Sequence, residues 1–199
     1  MITEKKYMMQ YRYHLKNYIF QIDNCIDKKL CEDTLQQIST INYELNTFYS
    51  PLDHTSNSPS GNQECEVSDE FVPVKNQIMK KINDAVEKYL KEHLNFSWFK
   101  ECSGISTVRF NRYTENKKMA LHCDHIHSLF EGNLTGVPIL SIIGVLNDDY
   151  KGGNFIMFDE YEIKFKQGDV IIFPSNFMYP HKVEPVTQGV RHSFVSWVC

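Results

Sequence analysis

Three side chains that can bind a metal ion lie in two short segments of the C-terminal half. His122 and Asp124 are two residues apart in MALHCDH, and His181 follows in MYPHKV, just after the apolar segment DVIIFP. Residues i and i+2 of a β-strand share a face, so the side chains of His122 and Asp124 can point at one ion. Two imidazoles and one carboxylate, with three adjacent positions left open, are the donor set typical of non-haem iron(II).

A second pair of residues predicts an anion site. Arg191 lies ten residues after His181, and Ser193 shares its strand face. A guanidinium matches a carboxylate in bidentate geometry, and a nearby hydroxyl adds a further hydrogen bond. A buried arginine without an anionic partner costs several kcal/mol, so this position predicts a bound carboxylate.

The elements that must position these residues are mainly strands. After Ser97, short runs rich in β-branched and aromatic residues alternate with turns, which predicts an all-β sandwich or jelly roll. Before it we expect a short strand in 17–23, a helix over 27–38 capped by Asp23 or Asn24, an exposed loop over 50–69 and a helix over 73–94. The apolar stripe of the last helix predicts packing against the β core.

Composition limits the class of protein. The 199 residues suit one domain, and 42% hydrophobic residues suffice for a core. The net charge of −4 comes without a basic run, so no nucleic acid is indicated, and no apolar segment reaches the length of a membrane span. The six cysteines form no C-x-x-C pair, and no signal peptide is visible at the N-terminus. We expect reduced thiols in a cytoplasmic protein.

The motifs together resemble the prolyl 4-hydroxylase-like branch of the 2-oxoglutarate/iron(II) dioxygenases. The resemblance covers about 105–198 well and the N-terminal half loosely. Its matching segments are RFNRY (109–113), HCD (122–124), LN (146–147), YKGG (150–153), GD (168–169), IFPS (172–175), YPHKV (179–183), PV (185–186), GVRHS (189–193) and Trp197.

This resemblance implies a fold and a set of roles. The fold would be α+β but mainly β, with a double-stranded β-helix core over 99–199 and N-terminal helical support over 1–98 in a single domain. Iron(II) would be bound by His122, Asp124 and His181. The 5-carboxylate of 2-oxoglutarate would be held by Arg191 with help from Ser193, and Tyr113 would face that cosubstrate. Oxygen would be consumed, with ascorbate as reductant, and Asp124 favours hydroxylation over halogenation.

Several alternatives stay open. The substrate could be a prolyl or other protein side chain, or a free amino acid or small metabolite. A cupin-like metal protein without 2-oxoglutarate, or an inactive binding module, would also keep a β-barrel. His125 and His127 fall in a predicted loop over 125–137 at the mouth of the site, and Trp197 is expected in the core.

Overall fold

The computed structural model describes residues 14–50, 54–99, 102, 104–124 and 137–199, without the side chains of residues 49 and 50. Its two α-helices are α1 (Lys28–Ile38) and α2 (Val74–Lys88), and a π-helical turn over Tyr89–Leu94 continues α2; single 3-10 turns cover Leu15–Tyr18 and Gly61–Gln63. The strands are β1 (Phe20–Ile22), β2 (Glu44–Leu45), β3 (Phe48–Ser50), β4 (Thr55–Asn57), β5 (Glu66–Ser68), β6 (Arg109–Tyr113), β7 (Met119–His122), β8 (Leu140–Val145), β9 (Lys151–Gly152), β10 (Phe155–Met157), β11 (Tyr161–Ile163), β12 (Val170–Pro174), β13 (His181–Val183), β14 (Val186–Gln188) and β15 (Arg191–Val198).

Two antiparallel sheets dominate the described part of the chain. One has seven strands in the order β1-β12-β8-β15-β6-β5-β2, and the other has four in the order β11-β10-β13-β7. Strands β9 and β14 form a further pair, as do β3 and β4. The α+β, mainly β class predicted from the sequence is confirmed. Strand β15 lies between β6 and β8, so its inward side chains sit in the middle of the larger sheet.

The helices cover one face of the seven-stranded sheet. Helix α1 begins where the Asp27 carboxylate accepts a hydrogen bond from the backbone N–H of Leu30 at 3.0 Å, so the predicted caps Asp23 and Asn24 were wrong by one turn. Helix α2 buries the predicted stripe, with Ile78 and Ile82 fully inaccessible. Both helices share one apolar cluster with strands of this sheet, which leaves the sheet's other face free for a site.

The prediction of an exposed loop over 50–69 was wrong for the second half of that segment. Cys65 is fully buried and Val67 nearly so, and β5 pairs with the edge of β6. The Glu64 carboxylate is also buried, and it accepts a hydrogen bond from the N–H of Ala120 in β7 at 2.9 Å. Backbone pairing with a neighbouring strand therefore outweighs the polar composition of this segment. Three strands from the N-terminal half, β1, β2 and β5, extend the larger sheet.

Candidate metal and cosubstrate site

The three predicted metal ligands converge at one end of the smaller sheet. His122 at the end of β7 lies directly opposite His181 at the start of β13, and Asp124 follows β7 by two residues. The Nε2 atoms of His122 and His181 lie 3.3 Å and 3.8 Å from Oδ1 of Asp124. One ligand atom from each residue falls within a 4.8 Å group, a spacing that a single ion can bridge.

Backbone carbonyls orient both imidazoles in the same way. Nδ1 of His122 lies 2.8 Å from the carbonyl oxygen of Ala120, and Nδ1 of His181 lies 3.1 Å from that of Tyr179. A carbonyl oxygen can only accept, so each Nδ1 carries the proton and each Nε2 keeps its lone pair. Both lone pairs then face Asp124, which is the arrangement that a metal-binding histidine needs.

A serine pair fixes the carboxylate of Asp124. Ser141 on β8 donates a hydrogen bond to Oδ2 at 2.6 Å, and its hydroxyl lies 2.7 Å from that of Ser175. The other oxygen, Oδ1, is thereby left to face the two imidazoles. Sequence reasoning missed both serines. The available signal was Ser141 itself, a small polar residue inside the apolar run PILSIIGV.

Burial and neighbouring groups set the charge of the ligands. Burial, together with the nearby His122, lowers the pKa of His181 to about 4, against an opposing effect of Asp124. Burial alone would raise the pKa of Asp124, but His181, His122 and the hydrogen bond from Ser141 outweigh it and lower that pKa. At neutral pH the imidazole of His181 is neutral and Asp124 is ionised, the forms that coordinate a cation.

Arg191 lies in the same pocket as a buried charge that has no acidic partner among the described residues. It is 1% exposed, and its Nη1 donates to the hydroxyl of Ser193 at 2.9 Å. Its Nε and Nη2 have no hydrogen-bond partner in the described part of the chain. The ring centre of Tyr113, on the paired strand β6, lies 5.0 Å from the guanidinium carbon. A cation so placed calls for an acceptor that the described residues do not supply.

One pocket of about 350 Å³, open to solvent, joins these groups. It is lined by the three metal ligands, by Arg191, Ser193 and Tyr113, and by Arg109, Asn111 and Trp197. Trp197 lies in the core as predicted, at 7% exposure. It also lines this pocket, and its Nε1 has no partner among the described residues. His125, His127 and residues 125–136 of the predicted mouth loop lie outside the described residues.

Two histidines and one carboxylate that converge on a single point are the ligand set of non-haem iron(II) oxygenases. Residues 108–199 match the family model of the 2OG-Fe(II) oxygenase superfamily. The resemblance predicted from the sequence, to the prolyl hydroxylase-like branch of these oxygenases, is confirmed.

Named relatives agree with this placement. A PKHD-type hydroxylase of Xylella fastidiosa is 36% identical over 107 residues, which cover 45% of this chain and 43% of that protein. The chain thus matches less than half the length of its curated relatives. Among solved structures, a Trichoplax adhaerens prolyl hydroxylase in complex with a hypoxia inducible factor peptide fragment superposes with a TM-score of 0.69 at 13% identity, covering 100% of this chain and 92% of that one. A Pseudomonas putida prolyl-4-hydroxylase gives 0.62 at 14% identity, covering 91% of each chain.

Proposed function

We propose that this protein is an iron(II)- and 2-oxoglutarate-dependent hydroxylase. The observation that carries the proposal is the content of one pocket: three converging metal ligands, and a buried arginine with two N–H groups that no described residue accepts. A metal protein of the cupin type would need the first feature but not the second. The core is proposed to be a double-stranded β-helix within a single domain over 1–199, in which 99–199 form the core and 1–98 support it.

His122, Asp124 and His181 would hold the iron. The donor chemistry fits, because two neutral imidazole nitrogens and one carboxylate oxygen suit iron(II) and leave positions for exchangeable ligands. The carbonyls of Ala120 and Tyr179 support the two imidazoles. Such outer contacts keep ligands in place in the absence of the ion.

Arg191 would bind the 5-carboxylate of 2-oxoglutarate. Its Nε and Nη2 can donate two parallel hydrogen bonds to one carboxylate, while its Nη1 is held by Ser193. Ser193 thereby acts as a positioning residue for the guanidinium. Tyr113 is 1% exposed, lies beside the same cation, and would form the wall against which the cosubstrate packs.

Iron(II) and 2-oxoglutarate, when bound, would supply the oxidation: one oxygen molecule is consumed, 2-oxoglutarate becomes succinate and carbon dioxide, and a substrate C–H becomes C–OH. The chain's own part is to hold and orient both groups among buried side chains. Ascorbate is proposed as the reductant that keeps the iron in its divalent state.

The proposed substrate is a prolyl or other protein side chain, with a free amino acid or small metabolite as the alternative. Support for the first comes from the name of the Trichoplax adhaerens neighbour, which was solved with a peptide. None of the described helices is long and apolar enough to cross a membrane. The cytoplasm is proposed as the location on the ground of the cysteine usage.

The test is succinate release from 2-oxoglutarate in air, with iron(II) and ascorbate. The reaction is run with proline-containing peptides, with free amino acids and with no addition. Stimulation by a peptide supports a protein hydroxylase, and stimulation by an amino acid keeps the chemistry but changes the substrate class. An iron-loaded protein that neither binds 2-oxoglutarate nor releases succinate would contradict the proposal.

A further inference from the structure

The pocket contains a second arginine, Arg109, at the end remote from Arg191. Arg109 and Tyr113 are four residues apart on β6 and share its inward face. They pair with Val195 and Arg191 on β15. The two arginines therefore stand about 13 Å apart along the strands, at ~3.3 Å per residue. A cosubstrate bound at Arg191 would leave Arg109 available to bind a different molecule.

Arg109 and Trp197 form a stacked pair with unused donors. The guanidinium carbon of Arg109 lies 5.0 Å from the ring centre of Trp197, a separation typical of a cation–π contact. Nε of Arg109 and Nε1 of Trp197 are both buried and have no hydrogen-bond partner among the residues that the structure describes. Arg109 also joins none of the ion pairs within the described residues, although the next arginine, Arg112, pairs with Glu66 at 2.8 Å. Both unused atoms are donors only, so a ligand between them must be an acceptor.

Arg109 and Trp197 lie close to the metal ligands. Trp197 lies opposite Ser141 in the sheet, and Ser141 is the residue that holds the carboxylate of Asp124. A group bound between Arg109 and Trp197 would therefore lie beside the metal ligands, where the substrate carbon must come.

The net charge of the pocket also favours an anionic ligand. Two guanidiniums face a single carboxylate, that of Asp124, among the described lining residues, which leaves one positive charge in excess. An iron(II) ion and a 2-oxoglutarate dianion cancel each other, so their binding would leave this excess in place. In a buried pocket an uncompensated charge attracts an opposite one strongly.

We propose that Arg109, stacked on Trp197, binds a carboxylate of the substrate, so that the preferred substrate carries a negative group close to the hydroxylated carbon. This inference rests on the proposed function and narrows its substrate class. The carboxylate could be the α-carboxylate of a free amino acid or an acidic side chain beside the target residue in a peptide.

Two matched pairs of probes distinguish these sources. The first pair is L-proline and L-prolinamide; the second is a peptide with glutamate beside its proline and the same peptide with glutamine. Binding is measured without oxygen, in the presence of iron(II) and 2-oxoglutarate, by the fluorescence of Trp197. A Trp98→Phe background removes the other of the two tryptophans, which is 73% exposed.

We expect the carboxylate member of at least one pair to bind about tenfold more tightly than its amide partner, as a charge-assisted hydrogen bond gives. Arg109→Gln should reduce this preference to less than about twofold, and Arg109→Lys should restore part of it. Arg112→Gln, on the opposite face of the same strand, is the control and should keep the preference in full.

Equal binding of both members of each pair to the unsubstituted protein would overturn the inference. It would also fail if Arg109→Gln weakened the binding of 2-oxoglutarate and left that of the probe unchanged, because Arg109 would then be a cosubstrate ligand. A retained carboxylate preference without any succinate release would instead count against the proposed function, so the two failures can be told apart.

Discussion

Two walls of the pocket differ in how far the chain satisfies its own polar atoms: the metal end, formed by His122, Asp124 and His181, and the anion end, formed by the inward faces of β6 and β15. At the metal end, both Nδ1 atoms and the outer oxygen of Asp124 have partners within the protein, at 2.6–3.1 Å. On the facing strands β6 and β15, by contrast, Arg191, Arg109 and Trp197 each keep at least one buried N–H group without a partner in the described part of the chain.

This difference indicates what each end binds. A metal ligand must be fixed in orientation before the ion arrives, so its outer contacts are made by the protein. A cation that recognises an anion must keep its N–H groups open, and the missing bonds are supplied by the ligand. The protein therefore already orients its metal ligands, whereas the donors at the anion end still lack the acceptor that a ligand would supply.

The strongest way to break this comparison is to remove a metal ligand. Asp124→Ala and His181→Ala should each reduce bound iron from about one ion per chain to less than about a tenth of that, because two donors do not hold the ion at neutral pH. Iron is counted by elemental analysis after gel filtration.

The control for these variants is the thermal midpoint of the metal-free proteins. Asp124 is held by one serine and two imidazoles, so its loss should leave the folded core in place. Full iron stoichiometry in both variants would show that the ion binds elsewhere.

The sequence pointed to the chemically distinctive side chains of both ends, but not to the residues that support or line them. His122, Asp124 and His181 are rare residue types at strand spacing, and each is marked by its own chemistry. Ser141 and Trp197 were missed because a serine in an apolar strand and a tryptophan near a strand end look the same whether they pack or bind. Their role depends on register across β8 and β15, which no local pattern encodes.

The fold likewise contains elements that the local sequence pattern predicts and one segment that it does not. The helix over 73–94 and the strands after Ser97 follow from periodicity, and both were confirmed. The segment 64–68 was predicted to be exposed because its composition is polar, yet it forms part of the larger sheet. Its burial depends on long-range pairing with β6, which composition does not reveal.

The second prediction tests whether Arg191, at the anion end, binds the carboxylate of the cosubstrate. Arg191→Ala should weaken 2-oxoglutarate binding by one to two orders of magnitude, roughly 1.5–3 kcal/mol for a bidentate charge-assisted pair. Calorimetry with the iron-loaded protein in the absence of oxygen measures it. Arg191→Lys keeps the charge and should recover part of the affinity, whereas Arg112→Ala should leave it unchanged. Unaltered cosubstrate affinity in Arg191→Ala would favour a metal protein without 2-oxoglutarate.

The smallest expected effect tests whether the outer contacts of the metal end matter. Ser141→Ala removes the hydrogen bond to Oδ2 of Asp124 and should weaken iron binding about tenfold, the lower end for a contact of this kind. Competition with a chelator of known affinity measures the change. Ser196→Ala is the matched control, since Ser196 is equally buried on the neighbouring strand but bonds to Ser106. If the two variants lose iron affinity equally, the effect is one of general stability, and the metal end is no better organised than the anion end.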